Sequence, residues 1–190
     1  MSSLAEMDDH ALAQQVQRDL QGQTAFAELY RRHVNHVYRY FLARVRNEQD
    51  AQDLTAQTFL TALESIPHFR SESKFSTWLF GIAHHKGVDF FRRKRPLVGL
   101  ETAENLSDPD PPPDETVSQR LQVETVLNAM QVLSSERAEA LALHSFGSLS
   151  VAEVAQVMHK SEAAVRMLIH RAIQDLQQRL AYRSVDNGTA

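Results

Sequence analysis

Three observations predict an all-helical fold built as two small domains. Apolar residues recur at three- and four-residue steps through most of the chain, and no segment alternates convincingly as a strand would. Glycine is scarce, with six in 190 residues. A proline-rich acidic stretch then divides the helical patterns into two groups.

The elements follow in order. A short helix is expected at about residues 9–20. The next, 24–45, places Phe26, Leu29, Tyr30, His33, Val37 and Phe41 on one stripe. A third, 47–66, has an apolar face of Ala51, Leu54, Thr58, Phe59, Ala62, Leu63 and Ile66. Asn47 is its expected N-cap, because its side-chain oxygen can accept an orphan amide of the first turn, and Pro67 stops it. Asp50, Asp53, Gln57, Thr61 and Glu64 form the polar stripe opposite. Beyond the polar loop Arg70-Ser71-Glu72-Ser73-Lys74, a helix over 76–95 starts apolar (Trp78, Leu79, Ile82, Ala83) and finishes basic (Arg92-Arg93-Lys94-Arg95).

Residues 96–116 contain Asp108-Pro109-Asp110-Pro111-Pro112-Pro113-Asp114. Prolines remove helix donors and like charges repel, so this is an extended linker. Downstream, helices are expected at 117–133 (Leu121, Val123, Val126, Leu127, Met130), 134–146, 150–158 and 161–182. Ser150-Val151-Ala152-Glu153 is a capping box, and Ser161 can cap the last helix. The domains are therefore 1–95 and 117–182, joined by the linker 96–116 and followed by a tail, 183–190.

The formal net charge of −4 is unevenly placed. Residues 1–95 carry +2, the linker −6 and residues 117–190 zero, so the overall sign does not exclude a nucleic-acid partner. There are no cysteines, which removes disulfides, thiolate zinc sites and cysteine nucleophiles and fits a reducing cytoplasm. No run approaches the roughly 20 apolar residues of a membrane span, and no signal peptide is visible at the N-terminus. No phosphate-binding loop, nucleophile elbow, His-Glu-x-x-His or paired-carboxylate arrangement is present, so neither an enzyme nor a cofactor is expected. His33, His36, His84 and His85 lack acidic neighbours at ligand spacing, so no metal is expected.

Two features suggest DNA. Helix 150–158, a turn at His159-Lys160 and the helix from Ser161 have helix-turn-helix lengths. Val165, Leu168, Ile169, Ala172, Leu176 and Leu180 form the buried stripe of the last helix, opposite Ala163, Arg166, Met167 and His170, with Arg171 at the edge. The second feature is Lys86 and Arg92–Arg95 on a helix that carries Trp78, Phe80, Phe90 and Phe91. Cations there can track phosphates and an aromatic can stack on an unpaired base. Trp78, on the apolar stripe, is expected in the core. A stand-alone helix-turn-helix regulator accommodates these features as well.

Together, the motifs resemble the sigma-70 family, in its extracytoplasmic-function group. Ala51-Gln52-Asp53-Leu54-Thr55-Ala56-Gln57-Thr58-Phe59, Phe69-Arg70, Phe75-Ser76-Thr77-Trp78-Leu79-Phe80-Gly81-Ile82-Ala83 and Asp89-Phe90-Phe91-Arg92-Arg93 resemble sigma region 2. Leu149-Ser150-Val151-Ala152-Glu153-Val154-Ala155 and Val165-Arg166 with Arg171-Ala172 resemble region 4. The resemblance implies a subunit that binds core RNA polymerase, captures the opened −10 element with its first domain and reads the −35 element with its second. It also implies an anti-sigma protein as a further partner. Carried onto this chain, Asp50, Asp53, Leu54 and Gln57 would meet the polymerase. Phe69, Ser71, Lys74, Phe75, His85, Lys86, Arg92 and Arg93 would meet the −10 element. Lys160, Ser161, Ala163, Arg166, Met167, His170 and Arg171 would meet the −35 element. The linker would thread a basic polymerase channel toward the RNA exit. Departures from the family pattern fall at Gln52, Ala56, Gln57, His84-His85, Leu168 and Ile173.

Overall fold

The computed structural model describes residues 4–18, 22–70, 72–94, 128, 130 and 132–186, with side chains to residue 179. Among them, every regular element is helical: α1 (Asp9–Arg18), α2 (Gly22–Val45), α3 (Glu48–Ser65), α4 (Phe75–Lys94), α5 (Ser135–Ser145), α6 (Val151–Met158) and α7 (Glu162–Asp186). Single 3₁₀ turns occupy Leu4–Glu6 and Ile66–His68.

Local chemistry sets the boundaries. Arg46 adopts the left-handed region (φ 55°) and turns the chain out of α2. Asn47 follows in extended geometry and its Oδ1 accepts the Asp50 amide at 2.8 Å, satisfying a donor that the first turn of α3 leaves free. At the far end, α3 tightens into the 3₁₀ turn that contains Pro67. The capping box of α6 is complete: the Glu153 amide donates to Ser150 Oγ, and Glu153 Oε2 accepts the Ser150 amide at 2.8 Å. Ser161 Oγ accepts the Ala164 amide at the start of α7. That helix runs to Asp186, into the segment expected as a tail. The expected helix 117–133 and the linker 96–116 lie outside the described residues, apart from Asn128, Met130, Val132 and Leu133.

The first core joins α1 to α4 through Leu12, Leu29, Val37, Tyr40, Phe41, Phe59, Leu79 and Phe80, all buried. Each large side chain so buried contributes roughly 1.5–3 kcal/mol. The second gathers Leu141, Leu143, Leu149, Val154, Val157, Val165, Ile169 and Ala172 from α5 to α7. Two stripe residues depart from expectation. Leu63 (46% exposed) and Tyr30 (44%) sit at the edge of their helix faces, because the neighbouring helices cover only the centre of each stripe.

The two helical groups also pack on each other, α2 against α5 and α4 against α6. Gly147, after α5, permits a close approach here. A Cβ at this position would lie 3.1 Å from the Phe80 ring of α4 and 2.5 Å from Leu143 O.

Candidate nucleic-acid interface

The loop between α3 and α4 is anchored on rings. Phe69, Phe75 and Trp78 form a triangle with centroid separations of 6.0, 5.0 and 5.5 Å, and His33 lies 5.5 Å from Phe75 on the far side. Phe69 (6% exposed) and Phe75 (2%) are core residues that support the loop from below; their rings are not open to a ligand in this arrangement. Leu54 (5%) is likewise internal, so the surface of α3 is presented by Asp53 and Gln57, both exposed. Asp50 is half-buried and paired with Lys94 at 2.8 Å, and Lys94 also stands over the Phe90 ring at 4.6 Å.

On α4, Trp78 is only partly buried and belongs to the wall of a groove as well as to the core edge, so it fulfils neither role alone. Ser73, Thr77, Gly81, Ile82 and His85 line the groove from the first domain, and Gln156, Val157 and His159 from the second. Lys74 stands beside it, and Arg92 and Arg93 are exposed further along the same helix. Lys86 is half-buried, and Ser71 lies outside the described residues.

In the second domain, His159 takes the left-handed conformation (φ 52°) that turns the chain sharply between α6 and α7. Its amide and that of Lys160 return to α6 carbonyls. Beyond the turn, Ser161, Ala163, Arg166, Met167, His170 and Arg171 are all exposed on α7, while Val165, Ile169 and Ala172 are buried and Leu168 and Leu176 partly so. Arg166 makes only a long contact with Glu162 (3.8 Å) and keeps most of its surface open. Lys160 is engaged by Glu136 at 2.8 Å.

Sequence reasoning missed the acidic partners of the histidines. His33 Nε2 donates to Asp9 Oδ2 at 2.5 Å, and His84 Nδ1 donates to Glu139 Oε1 at 2.8 Å. Glu139 also accepts from Tyr40 Oη at 2.7 Å, and Arg44 Nε stands 2.8 Å from its other oxygen, off the line of a good hydrogen bond. Burial pushes the Glu139 carboxyl up, but the His84 hydrogen bond, the Arg44 charge and Tyr40 outweigh it and hold the group below its ordinary value. Burial, followed by the Glu139 charge, pushes the Tyr40 hydroxyl well above its own. A lone acid inside the apolar run Ala138-Glu139-Ala140-Leu141-Ala142-Leu143 was the available signal, since residues on every side of that helix are buried.

The geometry thus pairs an α4 groove flanked by cations with a helix-turn-helix whose second helix leaves its N-terminal face open. Residues 29–96 match the family described as Sigma-70 region 2, and residues 124–176 match Sigma-70, region 4. The chain belongs to the sigma-70 family. Within it, the chain is an extracytoplasmic-function sigma factor, a subunit that recognises promoters. It is 34% identical over 180 residues to the ECF RNA polymerase sigma factor BldN of Streptomyces coelicolor, covering 93% of this chain and 68% of that one. Among solved structures, this sigma factor is similar to CnrH in complex with the cytosolic domain of CnrY (26% identity, TM-score 0.68, 92% and 97% of the two chains). It shares its fold with RpoE in complex with the anti-sigma factor NepR from Bartonella quintana (19%, TM-score 0.70, 82% and 96%). Membership of the family displaces the stand-alone regulator reading. No described helix is long and apolar enough to cross a membrane.

Proposed function

We propose that this sigma factor acts by binding alone, in the cytoplasm, with its tasks divided among three surfaces. The exposed stripe of α3, led by Asp53 and Gln57, docks on core RNA polymerase. The α3–α4 loop and the outer face of α4, with Lys74, His85, Arg92 and Arg93, hold the opened −10 strand. The exposed face of α7, with Ala163, Arg166, Met167 and His170, reads the −35 element, and Arg171 holds phosphate at its edge. Phe69 and Phe75 shape the −10 loop from beneath it. An anti-sigma protein is the expected inhibitor, as RpoE with NepR illustrates for the same fold. The acidic linker 96–116 would occupy a basic polymerase channel.

The observation that carries this reading is the pairing of Trp78 and His85 along one groove, with Lys74 next in sequence to its lining residue Ser73 and with Arg92 and Arg93 exposed further along the same helix. Cations in line hold a phosphate backbone, and an aromatic edge beside them suits an unstacked base.

Reconstituted transcription from supercoiled promoters tests the division. Asp53→Ala should weaken core polymerase binding by about tenfold, equivalent to about 1.4 kcal/mol. Arg166→Ala should leave that binding intact, lower initiation and relax −35 specificity, whereas Arg171→Ala should reduce the salt slope of −35 binding by about one. Polymerase binding untouched by Asp53→Ala would remove α3 from the interface.

A further inference from the structure

The groove on α4 is walled in this structure by both domains. Glu139 projects from α5 into the first domain, and all three groups that satisfy its carboxylate, Tyr40 and Arg44 of α2 and His84 of α4, belong to that domain. The residue is only 6% exposed. A carboxylate withdrawn from water requires such partners, so the contact fixes the register of one domain on the other. A second carboxylate reaches the first domain beside Thr77, which lines the groove. Glu153 Oε1 lies 3.0 Å from Lys74 Nζ and accepts from Thr77 Oγ1 at 3.2 Å. Gln156, Val157 and His159 line the groove together with Trp78 and His85. Further contacts support the same register: His36 Nδ1 donates to Phe146 O at 3.0 Å, and Gly147 meets Phe80.

We propose that the second domain is an internal competitor for single-stranded DNA, with Glu139 as the lock and the Glu153 carboxylate standing where a DNA phosphate would meet Lys74. The inference rests on the assignment of the α4 groove to the −10 strand. Because DNA can enter only when the domains part, its apparent affinity falls with the fraction of chains that are open. The identity of the competitor follows from charge. Glu153 and a phosphate diester offer the same anionic oxygens to the same ammonium group.

Zero-length carbodiimide coupling of the full chain tests this directly, because it converts a true Lys74–Glu153 pair into an amide that peptide mass spectrometry identifies. The amide should form in the unaltered protein, decline when a random-sequence single-stranded oligonucleotide is added, and fall several-fold in Glu139→Gln. The same variant should bind the labelled oligonucleotide about tenfold more tightly, as expected when a mostly closed population opens. Tyr40→Phe keeps the ring in the core and should show intermediate values for both, which preserves the test if Glu139→Gln folds poorly. No amide in the unaltered chain, or an amide yield indifferent to both variants, overturns the lock. If the yield falls but oligonucleotide affinity does not rise, the competition is overturned; the groove assignment is read separately, from whether His85→Ala weakens oligonucleotide binding by the Glu139→Gln chain.

Discussion

Gln17 shows what a single side chain does for the α3–α4 loop. From α1, its Nε2 donates to Ile66 O and to Phe69 O, each at 2.8 Å, at the turn from which the loop departs. Ile66 O also takes the Phe69 amide inside the 3₁₀ turn, and Phe69 O lies just beyond it, so one side-chain amide ties both ends of the turn to α1. Gln17→Leu should lower stability by about 1–2 kcal/mol in thermal melts, the sum expected of two modest hydrogen bonds. It should also blunt discrimination among −10 variants in reconstituted transcription while core polymerase binding stays unchanged. Equal losses across all −10 sequences would reduce Gln17 to a general stabiliser. Nothing in the sequence marks this residue, since a glutamine on an amphipathic helix is ordinary and its acceptors are 49 and 52 positions away. The pairings of Asp9 with His33 and of Glu139 with His84 were illegible for the same reason. Ligand spacing is a local property, and these partners are brought together by folding.

Individual helices were far more legible, because their boundaries depend on neighbours within four residues. Asn47, Pro67, Ser150 with Glu153, and Ser161 all act where the sequence placed them. Glu153 goes further than a cap. Burial pushes its carboxyl up, yet the hydroxyl and amide of Ser150, then Lys74, pull it down to about 2. A carboxyl depressed in the folded state stabilises fully above its ordinary value of 4.5, and that contribution is lost as pH falls from there toward 2. The melting difference between the unaltered protein and Glu153→Gln should therefore be largest at neutral pH and vanish through that window. At neutral pH the substitution should destabilise by about 1 kcal/mol, because a glutamine there can still take the Ser150 amide but loses the charge that strengthens that bond and pairs with Lys74. A difference that persisted below the window would mean that Glu153 acts through packing, not charge. Limits of the periodicity appear at Leu63 and Tyr30, where the stripe was read wider than the neighbouring helices can cover.

For the molecule as a whole, sequence indicated two helical groups but not that they pack against each other. The contacts that join them link residues 55 to 110 positions apart, such as His84 with Glu139 and His36 with Phe146. No periodicity reports such distances. Gly147 is the steric test of that packing. Gly147→Ala would force its Cβ against both Leu143 O and the Phe80 ring, and overpacking of this kind typically destabilises by about 1–3 kcal/mol. Small-angle scattering should show a larger radius of gyration for the variant at neutral pH. An unchanged radius would show that the turn yields without moving the domains. The groove has one more consequence. Trp78, the only tryptophan in the chain, lies on its wall opposite Gln156, Val157 and His159. Indole emission moves to the red when the ring meets water, and imidazolium groups quench it. The unlabelled protein therefore carries an optical gauge at the seam between its halves, able to follow their separation in real time as polymerase arrives.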